Sequence, residues 1–103
     1  MLEFALSRLR AGAVEYGDES FGRSSGELIG EIREELADVV VWAGVLAARI
    51  PKGEPARLML ERIAQTSAHT WEMLDANAVA FGLDEYGPGG DVADAEAFIE
   101  GVL

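Results

Sequence analysis

Cysteine is absent from this sequence of 103 residues, and basic residues are scarce. Without cysteine, disulfides and thiolate metal sites are excluded, so a metal ion must be bound through oxygen ligands or through His69, the single histidine. One lysine and seven arginines stand against nineteen acidic residues, and the net charge is −11. This excess of acid argues against nucleic acid as the partner. It is compatible with a nucleotide that carries Mg²⁺, because the metal supplies the missing positive charge.

Long hydrophobic runs are missing as well. The most apolar stretch, residues 39–48, is too short and too closely flanked by charge to cross a bilayer, so no membrane partner is expected. The N-terminal residues lack a basic segment followed by an apolar core, so no secretory signal is expected and a cytoplasmic location is predicted. Half of the residues are hydrophobic, which is enough for a folded single domain over residues 1–103.

Apolar residues recur at helical spacing, and no segment shows the alternation of a strand. The predicted helices span residues 2–16, 27–50, 55–81 and 91–102. Pro51 and Pro55 separate the second helix from the third, and Gly82 is the expected C-terminal cap before a turn and a short helix within 82–103. We predict an all-α fold, an antiparallel bundle of three main helices plus a short C-terminal helix. Oligomerisation is expected to complete it, because the two long helices carry more apolar surface than one small chain covers.

The chain is organised around residues 27–50, where a helix that begins with carboxylates continues as an almost wholly apolar one. At about 100° per residue, four acids lie in a stripe roughly 60° wide. These are Glu27, Glu31, Glu34 and Asp38. Glu35 lies about 60° from Asp38, toward the apolar sector. Only Arg33 offsets this charge, and like charges at i,i+4 cost a few tenths of a kcal/mol per pair. A divalent cation would remove that cost.

Such a stripe is compatible with a specific chemistry. Carboxylates one turn apart share a helix face and converge on hard cations such as Mg²⁺, which prefers oxygen ligands. One or two such ions clamp a pyrophosphate linkage and activate an attacking water, the usual route for metal-assisted hydrolysis of a phosphoanhydride. A helix face that is simply solvated is the alternative interpretation.

Residues 34–43, EELADVVVWA, resemble the signature of the MazG-like superfamily of all-α nucleoside triphosphate pyrophosphohydrolases, in which EELxD precedes an apolar helix. The segment YGDESF at residues 16–21 is similar to the small phage and bacterial members. The resemblance covers residues 13–50, about a third of the chain. It implies an oligomeric helical bundle that depends on Mg²⁺, with Mn²⁺ as the alternative ion, and cleaves a nucleoside triphosphate to the monophosphate and pyrophosphate.

The resemblance also implies roles for individual residues. Glu35 and Asp38 match the family's Glu-x-x-Asp pair and are expected to bind the metal. Glu31 and Glu34 form a Glu-x-x-Glu spacing and are expected as further ligands, with Glu34 as the catalytic base that orients water. The family carries its Glu-x-x-Glu on an earlier helix, whereas the first helix here offers only two glutamates, twelve residues apart. Either a partner subunit completes the site, or part of the site is lost.

Residues outside the stripe offer further candidates. Trp42 lies near the carboxylates and is a candidate for stacking on a base, with a place in the core or in an interface as the alternative. Lys52 is a candidate for contacting phosphates. Glu72 and Asp75 form a second Glu-x-x-Asp pair, although helical phase turns Glu72 well away from the apolar face of the third helix. Trp71 is expected in the core.

Three functions are compatible with these features. The first is a Mg²⁺-dependent nucleotide pyrophosphohydrolase that acts as a homo-oligomer, either a dimer or a tetramer. The second is a non-catalytic MazG-like module for helical oligomerisation or nucleotide sensing, which keeps the bundle and lacks the second acidic motif. The third is an acidic protein that mimics nucleic acid for a basic partner, and only the net charge motivates it.

Overall fold

The computed structural model describes residues 1–17, 19–77 and 88–103, and in these residues the fold is all-α, as predicted. The four α-helices are α1 (Leu2–Tyr16), α2 (Ser25–Ala47), α3 (Pro55–Ala76) and α4 (Val92–Val102). The chain divides into two compact units, Met1–Ser24 with Gly87–Leu103 and Ser25–Tyr86. In the first unit α1 contacts α4, and in the second α2 contacts α3. None of the described helices is long and apolar enough to cross a membrane.

The first unit is a pair of helices joined by polar contacts around a small apolar centre. Leu6 of α1 is buried, and the Arg10 guanidinium lies 3.3 Å from the Glu96 carboxylate of α4. The Glu96 carboxylate raises the pKa of Arg10 by accepting its hydrogen bond and attracting its charge. A capping box begins α4: the Asp91 carboxylate accepts from the Asp94 backbone N–H at 2.9 Å, and the Asp94 carboxylate accepts from the Asp91 N–H.

The segment after α1 was predicted as a loop and contains a short 3₁₀ helix, Glu19–Gly22. Gly17 ends α1 with a φ of 61°, a left-handed conformation that glycine adopts at low cost. Beside it, the Glu15 carboxylate raises the pKa of the Tyr16 phenol, chiefly by accepting its hydrogen bond. Part of the YGDESF motif is therefore helical.

The second unit is an antiparallel hairpin of α2 and α3. Ala43 of α2 and Ser67 of α3 are buried, which indicates that small side chains allow the two helices to approach. Arg57 closes the hairpin at its connection: its Nη1 donates to the carbonyl oxygens of Ala47 and Ile50, both at 2.8 Å. These contacts give a side-chain donor to one carbonyl at the C-terminus of α2 and to one in the turn that follows.

Both long helices differ from their predicted bounds. α2 begins at Ser25, two residues before the predicted start, and ends at Ala47 instead of Ile50. After Ala47 the chain continues as a tight turn, in which the Ile50 N–H donates to the Ala47 carbonyl, three residues back. α3 starts at Pro55, as predicted, and ends at Ala76 instead of residue 81. The predicted Gly82 cap and most of the turn within 82–90 lie outside the described residues.

The apolar sector of α2 was predicted to face a core that further chains complete, and within one chain most of it is not buried. Only Ala43 is buried among the nine apolar residues of that predicted sector, which are Leu28, Ile32, Leu36, Val39, Val40, Ala43, Leu46, Ala47 and Ile50. Trp71, also predicted in the core, is 38 % exposed. The reason is geometric: a helix that packs against a single neighbour covers one side only, and the rest of a wide apolar sector stays in solvent.

Candidate acidic site on the second helix

The four predicted metal ligands lie within two turns of α2, and all of them are exposed. They are Glu31, Glu34, Glu35 and Asp38. Because side chains three and four residues apart share a helix face, the fold keeps them on one surface of the hairpin.

The donor chemistry suits Mg²⁺, since all four side chains offer oxygen ligands. In residues 1–17, 19–77 and 88–103, however, no three Asp, Glu or His side chains form a group that could hold a metal ion. Side chains on successive turns of one helix point in nearly parallel directions instead of toward a common centre. A metal on α2 therefore requires further donors from the triphosphate or from a second chain, and its assignment stays a prediction.

Arg33 is the only cation between residues 25 and 48, and it is held by α3. Its Nη2 donates to Asp75 Oδ1 at 2.8 Å, and its guanidinium carbon lies 4.2 Å from the centre of the Trp71 ring. The two contacts combine an ion pair with a cation–π interaction. Arg33 therefore acts as a clamp between the two helices, in the part of α2 that carries the carboxylates.

A groove of about 300 Å³ lies between α2 and α3 next to this clamp. Its lining is apolar except for a buried serine and a glutamate. The lining residues are Leu36, Ala37, Val40, Ser67, Ala68, Trp71 and Glu72. Glu72 is exposed at the rim of this groove, and its helical phase, about 140° from the buried Ser67, agrees with the prediction that it points away from the packed face.

Asp75, the other member of the alternative acidic pair, forms the ion pair with Arg33. A carboxylate that neutralises a guanidinium at 2.8 Å is a poor candidate for a metal ligand, because the two cations would compete for it. The structure therefore gives Asp75 a role in joining the helices. Sequence reasoning missed this clamp, although Arg33 lies three residues before Leu36 and seven before Val40, the spacing of one helix face.

The two residues predicted to contact the substrate, Trp42 and Lys52, lie in different elements: Trp42 is on α2 and Lys52 follows it. Trp42 is 69 % exposed on α2, one turn beyond Asp38, so the core alternative is excluded in a single chain. Lys52 is exposed in the connection after α2. From Asp38 to the end of α2 the helix is about 13 Å long, and Lys52 lies past that end. Trp42 therefore borders the acidic row, whereas Lys52 lies past the end of the helix that carries it.

A comparison of the chain with protein families, with curated proteins and with solved structures gives no match.

Proposed function

We propose that this chain is a Mg²⁺-dependent nucleotide pyrophosphohydrolase of the MazG-like type, which cleaves a nucleoside triphosphate to the monophosphate and pyrophosphate. The observation that carries the proposal is the exposed row of carboxylates on α2, next to a cation that is held by α3. Because Arg33 is engaged with Asp75 and Trp71, the negative face of α2 remains suited to a metal–nucleotide complex.

Each residue of the row has a role in this proposal. Glu35 and Asp38 hold the divalent ion, and Glu31 is a further ligand. When bound, such an ion neutralises charge on the triphosphate and favours deprotonation of water. Glu34 orients the attacking water and accepts its proton, as a carboxylate within hydrogen-bond reach does. Trp42, with 69 % of its surface exposed, offers a ring face on which a base stacks.

The proposal includes a homo-oligomer, a dimer or a tetramer, in the cytoplasm. A second chain supplies what one hairpin lacks: further donors for the metal, and a lysine for the phosphates. Lys52 suits the second task because it lies beyond the end of α2, where it reaches a neighbouring copy more readily than its own carboxylates.

We test this function by measuring pyrophosphate release. The substrates are canonical and deoxynucleoside triphosphates, each with Mg²⁺ or Mn²⁺. We expect turnover by the wild-type chain and a loss of about 100-fold or more in Glu35→Gln/Asp38→Asn, since removal of metal ligands abolishes the electrostatic contribution of the ion. Glu61→Gln, which changes an exposed acid on α3, is the matched control and should keep its activity. No pyrophosphate from any nucleotide, or equal rates in the double variant and the wild type at unchanged helicity, would contradict the proposal.

A second function has one observation in its favour. Because no three carboxylates of the described residues form a metal-holding group, a non-catalytic MazG-like module for oligomerisation or nucleotide sensing is the alternative. Calorimetry separates the two functions: saturable binding of a nucleotide without release of pyrophosphate supports the module. Saturable binding of Mn²⁺ by the wild type, absent in Glu35→Gln/Asp38→Asn, supports the enzyme.

A further inference from the structure

The groove between α2 and α3 is separate from the acidic row. Its described lining residues include neither a carboxylate of the row nor Trp42 or Lys52. Its volume of about 300 Å³ is at the lower end of the range of small-molecule sites. Since a water molecule occupies roughly 30 Å³, this volume corresponds to a ligand with on the order of ten non-hydrogen atoms. The groove is therefore large enough for a small organic molecule.

Trp71 offers part of its ring to this groove. The guanidinium carbon of Arg33 lies 4.2 Å from the centre of the ring. Among the described residues, Trp71 lines the groove and Arg33 does not, so the groove reaches a part of the ring that the guanidinium leaves uncovered. α2 contributes the aliphatic side chains of Leu36 and Val40 to the same lining. Such a surface suits a flat aromatic ligand, because contact between rings adds to the burial of apolar area.

Ser67 places a polar group among these apolar side chains. It is 8 % exposed and lines the groove one turn before Trp71. A hydroxyl that donates its hydrogen within the protein keeps lone pairs that accept from a ligand. Thr70 on the same helix makes such a bond, since its hydroxyl donates to the Thr66 carbonyl at 2.9 Å. A ligand ring that carries an N–H group therefore has an acceptor in the buried part of the groove.

Glu72 supplies a negative charge at the rim of the groove. It is exposed, and it is the charged residue of the described lining. Arg33 neutralises Asp75, one turn further along α3, at 2.8 Å, whereas no ion pair within the described part of the chain engages Glu72. The net charge of −11 also favours a cation over an anion at long range. The groove therefore suits an apolar molecule that ends in a positive charge.

The two polar residues of the lining also define a length. Ser67 and Glu72 are five residues apart, which is about 7.5 Å along α3. A flat ring with a short chain spans this length. We propose that the groove binds a small arylalkylamine, with its ring on Trp71, its ring N–H toward Ser67 and its ammonium group paired with Glu72. This site goes beyond the proposed catalysis and stands without it.

Titration of the ¹⁵N-labelled full chain with tryptamine, followed by nuclear magnetic resonance, tests the site. The chain has two tryptophans, and Trp42→Phe identifies which indole N–H signal belongs to Trp71. We expect a saturable shift of the Trp71 signal with a dissociation constant on the order of 0.1–1 mM, as for a ligand of about twelve non-hydrogen atoms in an open groove. A shift of the Trp42 signal alone would place the amine at the acidic row. That result overturns the proposal, as does the absence of a saturable shift up to about 10 mM.

Two ligands of the same shape test the charge. Neutral 3-ethylindole should bind about two- to fivefold more weakly than tryptamine, because an exposed ion pair contributes only modestly. Indole-3-propionate should bind about tenfold more weakly than tryptamine, because its carboxylate meets Glu72 as a like charge. Equal affinity for the three ligands would contradict the role of Glu72 and overturn the proposed ligand class.

Substitution of Glu72 tests its pairing with the ammonium group. Glu72→Gln should weaken the binding of tryptamine about two- to fivefold and leave that of 3-ethylindole unchanged. Glu61→Gln is the matched control, because Glu61 is an exposed acid on the same helix and lies outside the described lining. Equal weakening by the two variants would assign the effect to net charge and overturn the proposal.

A larger side chain in the groove tests the position of the ligand. Ala68→Leu should remove the shift of the Trp71 signal for every indole, because the added atoms occupy the space of the ligand. Ala56→Leu, at an exposed position in the first turn of α3, is the matched control. Full binding of tryptamine to Ala68→Leu at unchanged helicity overturns the proposal. Glu72→Gln changes an exposed residue and stays informative if Ala68→Leu fails to fold, and both results are independent of pyrophosphate release.

Discussion

Arg33 joins the two helices of the hairpin through two contacts that differ in kind. Its ion pair with Asp75 is partly exposed, so solvent and salt screen it. Its stacking on Trp71 requires a flat guanidinium, which a lysine ammonium does not provide. The two contacts are therefore separable by substitution.

We expect Arg33→Lys to lower the free energy of unfolding by about 0.5–1 kcal/mol, because the charge remains near Asp75 while the stacking on Trp71 is lost. Arg33→Gln should lower it by roughly 1–2 kcal/mol, since both contacts disappear. Chemical denaturation is the measurement. Arg62→Gln, which changes an exposed arginine of α3, should remain within about 0.5 kcal/mol of wild type. If Arg33→Lys were as stable as the wild type, the stacking would have no measurable role.

At the scale of the helix, the first unit depends on how α4 begins. The Asp91 carboxylate accepts from the Asp94 N–H at 2.9 Å, so it satisfies one donor that the first turn leaves without a partner. Asp91→Ala should therefore lower the stability of α4 by about 0.5–2 kcal/mol. Hydrogen exchange of the α4 amides is the direct measurement, and faster exchange throughout the helix is expected. Asparagine caps nearly as well as aspartate, so the α4 amides of Asp91→Asn should exchange at close to the wild-type rate. If exchange became equally faster in both variants, the effect would come from the charge of Asp91 instead of its capping hydrogen bond.

At the scale of the whole molecule, each unit is a helix pair with little buried interior. In the described parts of the chain, the buried residues are Leu6, Ala43 and Ser67. Burial of apolar area is the main source of folding free energy, and helix pairs of this size bury little of it alone. Association of copies, as in the proposed homo-oligomer, would therefore contribute to stability as well as to assembly.

The midpoint of thermal unfolding, Tm, should consequently depend on protein concentration. A 100-fold increase in concentration is expected to raise the Tm by roughly 5–10 °C, because mass action favours the associated folded state. Circular dichroism at two concentrations is sufficient to measure it. A wild-type Tm that does not change with concentration would mean that the hairpin is stable as a monomer.

The all-α fold, the hairpin connection and the common face of the acidic row were predictable from the sequence alone. Each depends on local rules: apolar spacing determines helices, Pro51 and Pro55 interrupt them, and residues at i,i+3 and i,i+4 share a face whatever the rest of the chain does. The boundary of α2 was predictable only to within three residues, because Arg57, ten residues beyond Ala47, takes part in ending it.

Tertiary structure decided which faces meet. Arg33 and Asp75 are 42 residues apart, and their contact depends on the crossing of α2 and α3, which no local periodicity specifies. Ser67, and not the larger Ile63, lies at the packed centre of α3 because a small side chain permits close approach, while a hydrophobicity pattern gives weight to large apolar residues. The exposure of most of the apolar sector of α2 has the same origin: the sequence determines that a helix is apolar, but only its packing partners determine which of its sides is covered.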